Sequence, residues 1–167
     1  MTIIAGCTQM NIEDYAGTEP EFRLEDYFLG HVQAWGQFQD RGGEVKRRFF
    51  VDIHGHMEGD TLVLDEDFRY ADGETGERVW RIRATGENTY EGTAGDVRGM
   101  ATGRRAGHVF NWQYTLELPY GDGTVAVNFD DWMYLQEGGV LINRATMKKF
   151  GIRLGELTIF FQKVTDT

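Results

Sequence analysis

Tyr114, Asp131 and Arg144 bring a phenol, a carboxylate and a guanidinium to three neighbouring segments of alternating apolar character in the last third of the chain. If those segments are antiparallel strands joined at Asp122-Gly123 and across Gln136 to Gly139, side chains pair in a definite way. Leu118 then faces Val127, Leu116 faces Phe129, Tyr114 faces Asp131 and Trp112 faces Met133; on the other side Met133 faces Ile142, Asp131 faces Arg144 and Phe129 faces Thr146. Tyr114, Asp131 and Arg144 form one row on the more apolar face. A lone buried carboxylate costs several kcal/mol, and an Arg–Asp pair with a tyrosine donor offsets that cost. Two readings stay open: a structural ion pair closing the sheet, and a polar anchor for a ligand whose apolar body lies against Trp112 and Met133.

Other chemistry is sparse. His54 and His56 share a strand face, with Glu58 and Asp60 following, but a turn after His56 would swing the acids away and no third ligand is fixed by spacing; no metal is expected. With a turn at Glu58-Gly59, Val51 faces Glu66, Phe49 faces Phe68 and Arg47 faces Tyr70. Glu66 and Arg47 then either extend the polar floor or mark a barrel mouth where charges reach water, and the mouth is preferred. Gly95, Gly99 and Gly103 have no Gly-Lys-Ser/Thr beside them, so they mark bulges or close strand approach, not a phosphate loop. The chain has no serine and a single cysteine, Cys7, which leaves nucleophilic catalysis without its usual residues. No cofactor is expected.

The elements that must position these residues are short and extended. Segments rich in Val, Ile, Phe, Tyr, Trp and Thr lie near 32–40, 44–56, 60–70, 77–84, 88–94, 97–106, 108–118, 124–135, 140–149 and 155–163, separated by glycine-containing turns. A helical turn at Leu24-Glu25-Asp26-Tyr27-Phe28 puts Leu24, Tyr27 and Phe28 on one face, in the manner of a plug or lid. Eight to ten sequential strands joined by short hairpins favour an all-β, up-and-down, lipocalin-like (calycin) barrel over a Greek-key sandwich, which needs longer crossings. Trp35, Trp80, Trp112 and Trp132, one on each of four expected strands, are read as core or cavity lining.

A net charge of −10, with no basic run beyond Lys46-Arg47-Arg48 and Lys148-Lys149, argues against nucleic acid as a partner. The opening Ile4-Ala5-Gly6-Cys7 has the form of a lipobox, at which a bacterial lipoprotein precursor is cleaved and acylated on the cysteine; on these residues alone an ordinary thiol in a terminal tail is an equal reading. Six residues precede Cys7, fewer than an apolar leader of roughly 7 to 15 residues, so a longer leader is expected in the native gene. The polar stretch that follows, with Gly17 and Pro20, reads as a flexible tether, so residues 1–20 are assigned to a lipobox and tether and 21–164 to the barrel.

Several stretches resemble an uncharacterised proteobacterial domain-of-unknown-function family (number 3833). They are Tyr27-Phe28-Leu29-Gly30 through Ala34-Trp35-Gly36, Gly59-Asp60-Thr61-Leu62-Val63-Leu64-Asp65-Glu66, Phe129-Asp130-Asp131-Trp132-Met133-Tyr134-Leu135, Ile142-Asn143-Arg144-Ala145 and Lys149-Phe150-Gly151. The resemblance runs from about Pro20 to Phe161. It implies a lipocalin-like barrel and a lipoprotein anchored through Cys7, and it brings no catalytic residues with it.

The expected function is a membrane-tethered barrel, on the periplasmic face if the native gene encodes a full leader and cytoplasmic otherwise, that binds an apolar or amphipathic small molecule, with a fatty-acyl lipid as the leading class. Tyr114, Asp131 and Arg144 would fix its head, and Trp112 and Met133 would line its cavity. The alternatives are a filled structural or protein-interaction barrel and a small isomerase-like enzyme; an unpaired, strongly perturbed cavity carboxylate would favour the enzyme.

Overall fold

The computed structural model describes residues 9–165. Ten strands follow one another as β1 (Gly30–Asp40), β2 (Val45–Glu58), β3 (Thr61–Tyr70), β4 (Thr75–Ala84), β5 (Thr89–Thr93), β6 (Ala101–Ala106), β7 (Val109–Tyr120), β8 (Gly123–Leu135), β9 (Val140–Lys149) and β10 (Ile152–Lys163). Each is antiparallel to its chain neighbours, and β1 pairs with β10 to close the barrel, which leaves no free sheet edge. Alternation sends the core side chains inward, as in Phe110, Trp112, Tyr114 and Leu116 along β7.

Turn chemistry sets the register, and it departs from the sequence expectation at three hairpins. In β7–β8 the two-residue loop is Gly121-Asp122, with Gly121 at φ +57, not Asp122-Gly123. In β2–β3 it is Gly59-Asp60, with Gly59 at φ +63, not Glu58-Gly59. A two-residue hairpin with glycine and positive φ at its first central position is the type II′ pattern, and here it moves each register by two residues. Tyr114 therefore faces Phe129, Trp112 faces Asp131, Val51 faces Phe68 and Ile53 faces Glu66. An even shift leaves every side chain on its expected face.

The β8–β9 loop changes faces. Gln136 N–H bonds to Val140 O at 2.8 Å, so the tip has three residues, Glu137 to Gly139, not four, with positive φ at both Gly138 and Gly139. The register shifts by one, and a one-residue slip turns a strand over. Asp131 faces Ala145, Met133 faces Asn143, and Arg144 stands opposite Trp132 on the outer surface.

The helical turn forms as expected: α1 (Leu24–Phe28) caps one barrel end. Phe22, Leu24 and Phe28 are buried, with Phe28 edge-on to Phe161 and Phe22 edge-on to Phe110; each such side chain stabilises by about 1.5–3 kcal/mol. Tyr27 Oη donates to Gly139 O at 2.9 Å, Tyr90 Oη to Glu25 Oε2 at 3.0 Å, and Lys163 Nζ to Asp26 O at 3.0 Å. Gly55 is required beneath this lid, because a Cβ there would lie 1.8 Å from Phe28 O.

Residues 9–20, read from sequence as part of a tether, lie against the outer wall of the barrel. A 3-10 turn at Ile12–Tyr15 buries Ile12 against Val109 and Trp132, and Thr18 Oγ1 bonds His108 Nδ1 at 2.6 Å. Trp132 is thus buried outside the barrel, and Trp35 lies half-exposed on the outer surface of β1 against Phe50 and Phe160. Only Trp80 and Trp112 of the four tryptophans line the interior, because alternation along β1 and β8 turns the other two outward.

Candidate functional site

The lid and eight of the strands line a cavity of about 270 Å³. It runs from Leu24 and Phe28 under the lid to Phe38, Arg47, Tyr70 and Leu118 at the opposite end. Two glycines make room for its largest wall: a Cβ at Gly103 would meet Trp112 Cε3 and Phe110 Cζ at 2.5 Å, and one at Gly92 would meet Trp112 at 2.9 Å. Trp112 stands at a ring distance of 5.5 Å from Trp80, which is edge-on to Tyr114 at 5.3 Å, and Tyr114 stacks on Phe129 at 5.2 Å.

Asp131 is 4% exposed in this aromatic setting. Its Oδ2 accepts from Tyr114 Oη at 2.9 Å, while its Oδ1 has no hydrogen-bond partner. Asn143, 1% exposed on β9, likewise has an unpartnered Oδ1. Burial, with the Asp130 charge, pushes the Asp131 carboxyl up to about 7, against the pull of the Tyr114 hydroxyl, of Arg78 and of the Asn143 amide, which lies nearby but outside hydrogen-bond geometry. Burial and the Asp131 charge together raise the Tyr114 phenol well above its ordinary value, so Tyr114 stays a neutral donor.

Glu66 on β3 shares the cavity. Burial pushes its carboxyl up to about 7; Arg78 pulls it down, and Asp96 and Asp131 push it up further. Arg78 Nη1 lies 3.7 Å from Glu66 Oε2, but its fork is taken by Asp96, with Nε to Oδ1 at 3.0 Å and Nη2 to Oδ2 at 2.7 Å. Burial opposes the Arg78 charge, and Asp96 and Glu66 outweigh it, so its pKa rises. Arg47 lies over the Tyr70 ring at 3.6 Å and is held by Asp72 and Glu74.

Of the residues selected from sequence, Tyr114, Asp131, Trp112 and Met133 line the cavity together. Arg144 does not: its side chain is 64% exposed and pairs with Glu156 at 3.2 Å, because the three-residue tip turned β9 over. The Tyr114–Asp131–Arg144 row is therefore a Tyr114–Asp131 pair beside Asn143. Glu66 belongs to the polar floor and Arg47 to the mouth, whereas both had been assigned to the mouth. Sequence reasoning missed Arg78, whose signal was its parity with Trp80 and Ile82 on β4. It also missed Asp96, which sits in the β5–β6 connection, where no periodicity applies. Cys7 lies outside the described residues.

The histidines also fall differently. β2 runs on to Glu58, so the turn begins only at Gly59 and takes Asp60 but not Glu58 out of the strand, and His56 Nε2 lies 3.4 Å from Glu58 Oε1. On the outer wall His31 stacks on His54 at 4.5 Å, with His31 Nε2 at 2.6 Å and His54 Nε2 at 3.7 Å from the two oxygens of Asp52. This His31, Asp52 and His54 group has ligand atoms close enough to hold a metal ion, although all three are surface side chains.

Comparison with known proteins gives a fold and a family. An S-type phycobiliprotein lyase from Guillardia theta has a similar structure, with a TM-score of 0.60 at 7% identity, covering 86% of this chain and 90% of that one. At that identity the likeness shows the lipocalin-like barrel alone. No curated protein matches the chain. Residues 1–163 match the family described as "Protein of unknown function (DUF3833)".

Proposed function

Since the chain belongs to the DUF3833 family of proteins of unknown function, we propose its function from the cavity: a binding barrel for one small amphipathic molecule. The observation that carries this reading is the pair of buried, unpartnered acceptors, Asp131 Oδ1 and Asn143 Oδ1, on an aromatic-walled cavity of about 270 Å³. A buried acceptor without a partner costs about 1–3 kcal/mol, and a ligand that donates to it recovers that cost. A barrel evolved only to be filled gains nothing from such a space. The cavity volume lies just below the usual range for small-molecule pockets, roughly 300–1,000 Å³, so the occupant is compact.

The phycobiliprotein lyase named above is consistent with a small-molecule role for this barrel type. An acyl chain suits the apolar walls, but a carboxylate head does not suit this floor, since Arg144 is outside and Arg78 is engaged. The ligand's polar group is therefore a donor. Titration of intrinsic fluorescence from Trp80 and Trp112 with octan-1-ol tests the reading: saturable quenching that Gly103→Trp abolishes supports it, and no response to any short-chain amphiphile overturns it.

A second reading is favoured by one observation. Asp131 and Glu66 both titrate near 7 in one cavity, which is where a general acid or base works best at neutral pH. Recovery of a cavity ligand chemically changed after incubation would select proton-transfer catalysis over carriage.

The lipobox Ile4-Ala5-Gly6-Cys7 supports the further proposal that Cys7 is acylated and holds the barrel at a membrane surface facing the periplasm. Mass spectrometry of the full-length gene product from its own host tests it: a diacylglyceryl adduct on Cys7 is expected, and an unmodified thiol would refute it.

A further inference from the structure

We infer that the polar group the cavity receives is a protonated nitrogen, so that the ligand is a compact amine or related organic cation with an apolar body. The inference rests on the binding reading above and adds the ligand's charge to it.

Charge accounting inside the barrel carries the argument. Four charged side chains line the cavity: Arg47, Glu66, Arg78 and Asp131. Each arginine is bound by carboxylates outside the lining, Arg47 by Asp72 and Glu74 and Arg78 by Asp96. The lining cations are thus already neutralised, and the two lining acids are left over. Glu66 has a 3.7 Å share of Arg78; Asp131 has no salt-bridge partner among the described residues. Two acids with one half-shared cation attract a positive ligand and repel a carboxylate or phosphate.

The neutral groups point the same way. Asp131 Oδ1 and Asn143 Oδ1 are acceptors, and an ammonium group carries several donors and no acceptor, so it can satisfy both at once. The walls include the rings of Trp80, Trp112, Tyr114 and Phe129, whose faces, unlike their edges, attract cations by their quadrupole. One such face is already used in this way, with Arg78 lying 5.2 Å from the Phe68 ring centre. The chain's net charge of −10 adds a long-range field that draws cations toward the protein.

Without a ligand the two acids are only partly ionised near neutrality, because burial opposes their ionisation. An entering ammonium favours their charged forms, so binding near pH 7 releases protons to the solvent. An alcohol of the same length releases none.

The test compares three chain-matched probes, octylamine, octan-1-ol and sodium octanoate, against the full chain at neutral pH. Tryptophan fluorescence reads affinity, and calorimetry in two buffers of different ionisation enthalpy reads proton release. The expected order is octylamine tightest by about tenfold or more over octan-1-ol, a difference of about 1.4 kcal/mol, with octanoate weakest and proton release for the amine alone. Glu66→Gln and Asp131→Asn each should erase most of that preference, and Arg144→Leu should leave it intact; two separate acid variants keep the test usable if one fails to fold. Octan-1-ol or octanoate binding as well as the amine, or an amine preference that survives both acid variants, would overturn the inference while leaving the binding barrel standing. No binding of any probe would overturn the binding reading and this inference together.

Discussion

Tyr114 donates its hydroxyl diagonally across β7–β8 to Oδ2 of Asp131 at 2.9 Å, while its ring stacks on Phe129, its direct partner in the register. One residue thus both walls the cavity and orients its principal acid. Replacing Tyr114 with Phe keeps the ring and leaves Oδ2 without its donor. The expected cost is about 1–3 kcal/mol, seen as a lower urea midpoint with unchanged m-value, and the Asp131 carboxyl should titrate above its present value of about 7. Carbon-13 NMR of the Asp carboxyls measures the second effect, and a downward shift would contradict the pairing.

The buried acids predict an unusual pH dependence for the empty barrel. Glu66 and Asp131 titrate near 7 when folded and near 4 when unfolded. Between about pH 4 and pH 7 the folded state keeps protons that the unfolded state has lost, so stability falls as pH rises, by at most about 1.4 kcal/mol per pH unit per group. Below about pH 4 both states are protonated and this contribution is flat. Asp52, lowered chiefly by the His31 hydrogen bond, acts oppositely and loses its contribution as pH falls below its unfolded value. Urea denaturation across the window should show a steeper decline for the wild type than for Glu66→Gln/Asp131→Asn; equal slopes would contradict the assignment.

Gly103 tests the cavity wall. A methyl group there would lie 2.5 Å from both Phe110 and Trp112, so Gly103→Ala must push Trp112 aside. The expected result is a loss of about 1–3 kcal/mol and weaker octylamine binding. Gly95→Ala, with no atom within 4 Å of the added methyl, is the matched control and should change stability by no more than about 0.5 kcal/mol.

Gly55 tests the lid. A Cβ at 1.8 Å from Phe28 O cannot be accommodated without moving α1. Gly55→Ala should therefore raise the rate of proteolytic cutting near Leu24–Phe28 well before global unfolding. Cutting there only at the global unfolding rate would show that the lid is not held by this approach.

Arg144→Leu should change stability by less than about 1 kcal/mol, as an exposed ion pair with Glu156 contributes little. A large loss of stability or of probe binding would restore the inward placement expected from sequence.

That difference shows which features the sequence made legible. The lid at Leu24–Phe28 follows from helical spacing, and the barrel and the inward placement of Trp112, Tyr114, Asp131 and Met133 follow from two-residue alternation, which survives an even register error such as that at Gly121-Asp122. Arg144 and Asn143 exchanged places because one residue fewer in a glycine-rich tip inverts a strand, and two adjacent glycines permit loops of several lengths. Asp96 was invisible because it comes from an aperiodic connection and acquires its role only through Arg78. The outward burial of Trp132 was hidden for a related reason: its cover, Ile12, arrives from a segment whose polarity resembles that of a tether.

Native mass spectrometry of the full chain, extracted from its own host in a detergent whose micelle is stripped in the gas phase and followed by organic extraction, tests the central claim most directly. The account predicts a fraction of the protein carrying one small molecule, released into the extract and bearing a basic nitrogen. Only the mass of the empty chain, from cells under every growth condition tried, would contradict a binding role and return Tyr114 and Asp131 to a purely structural part in the core.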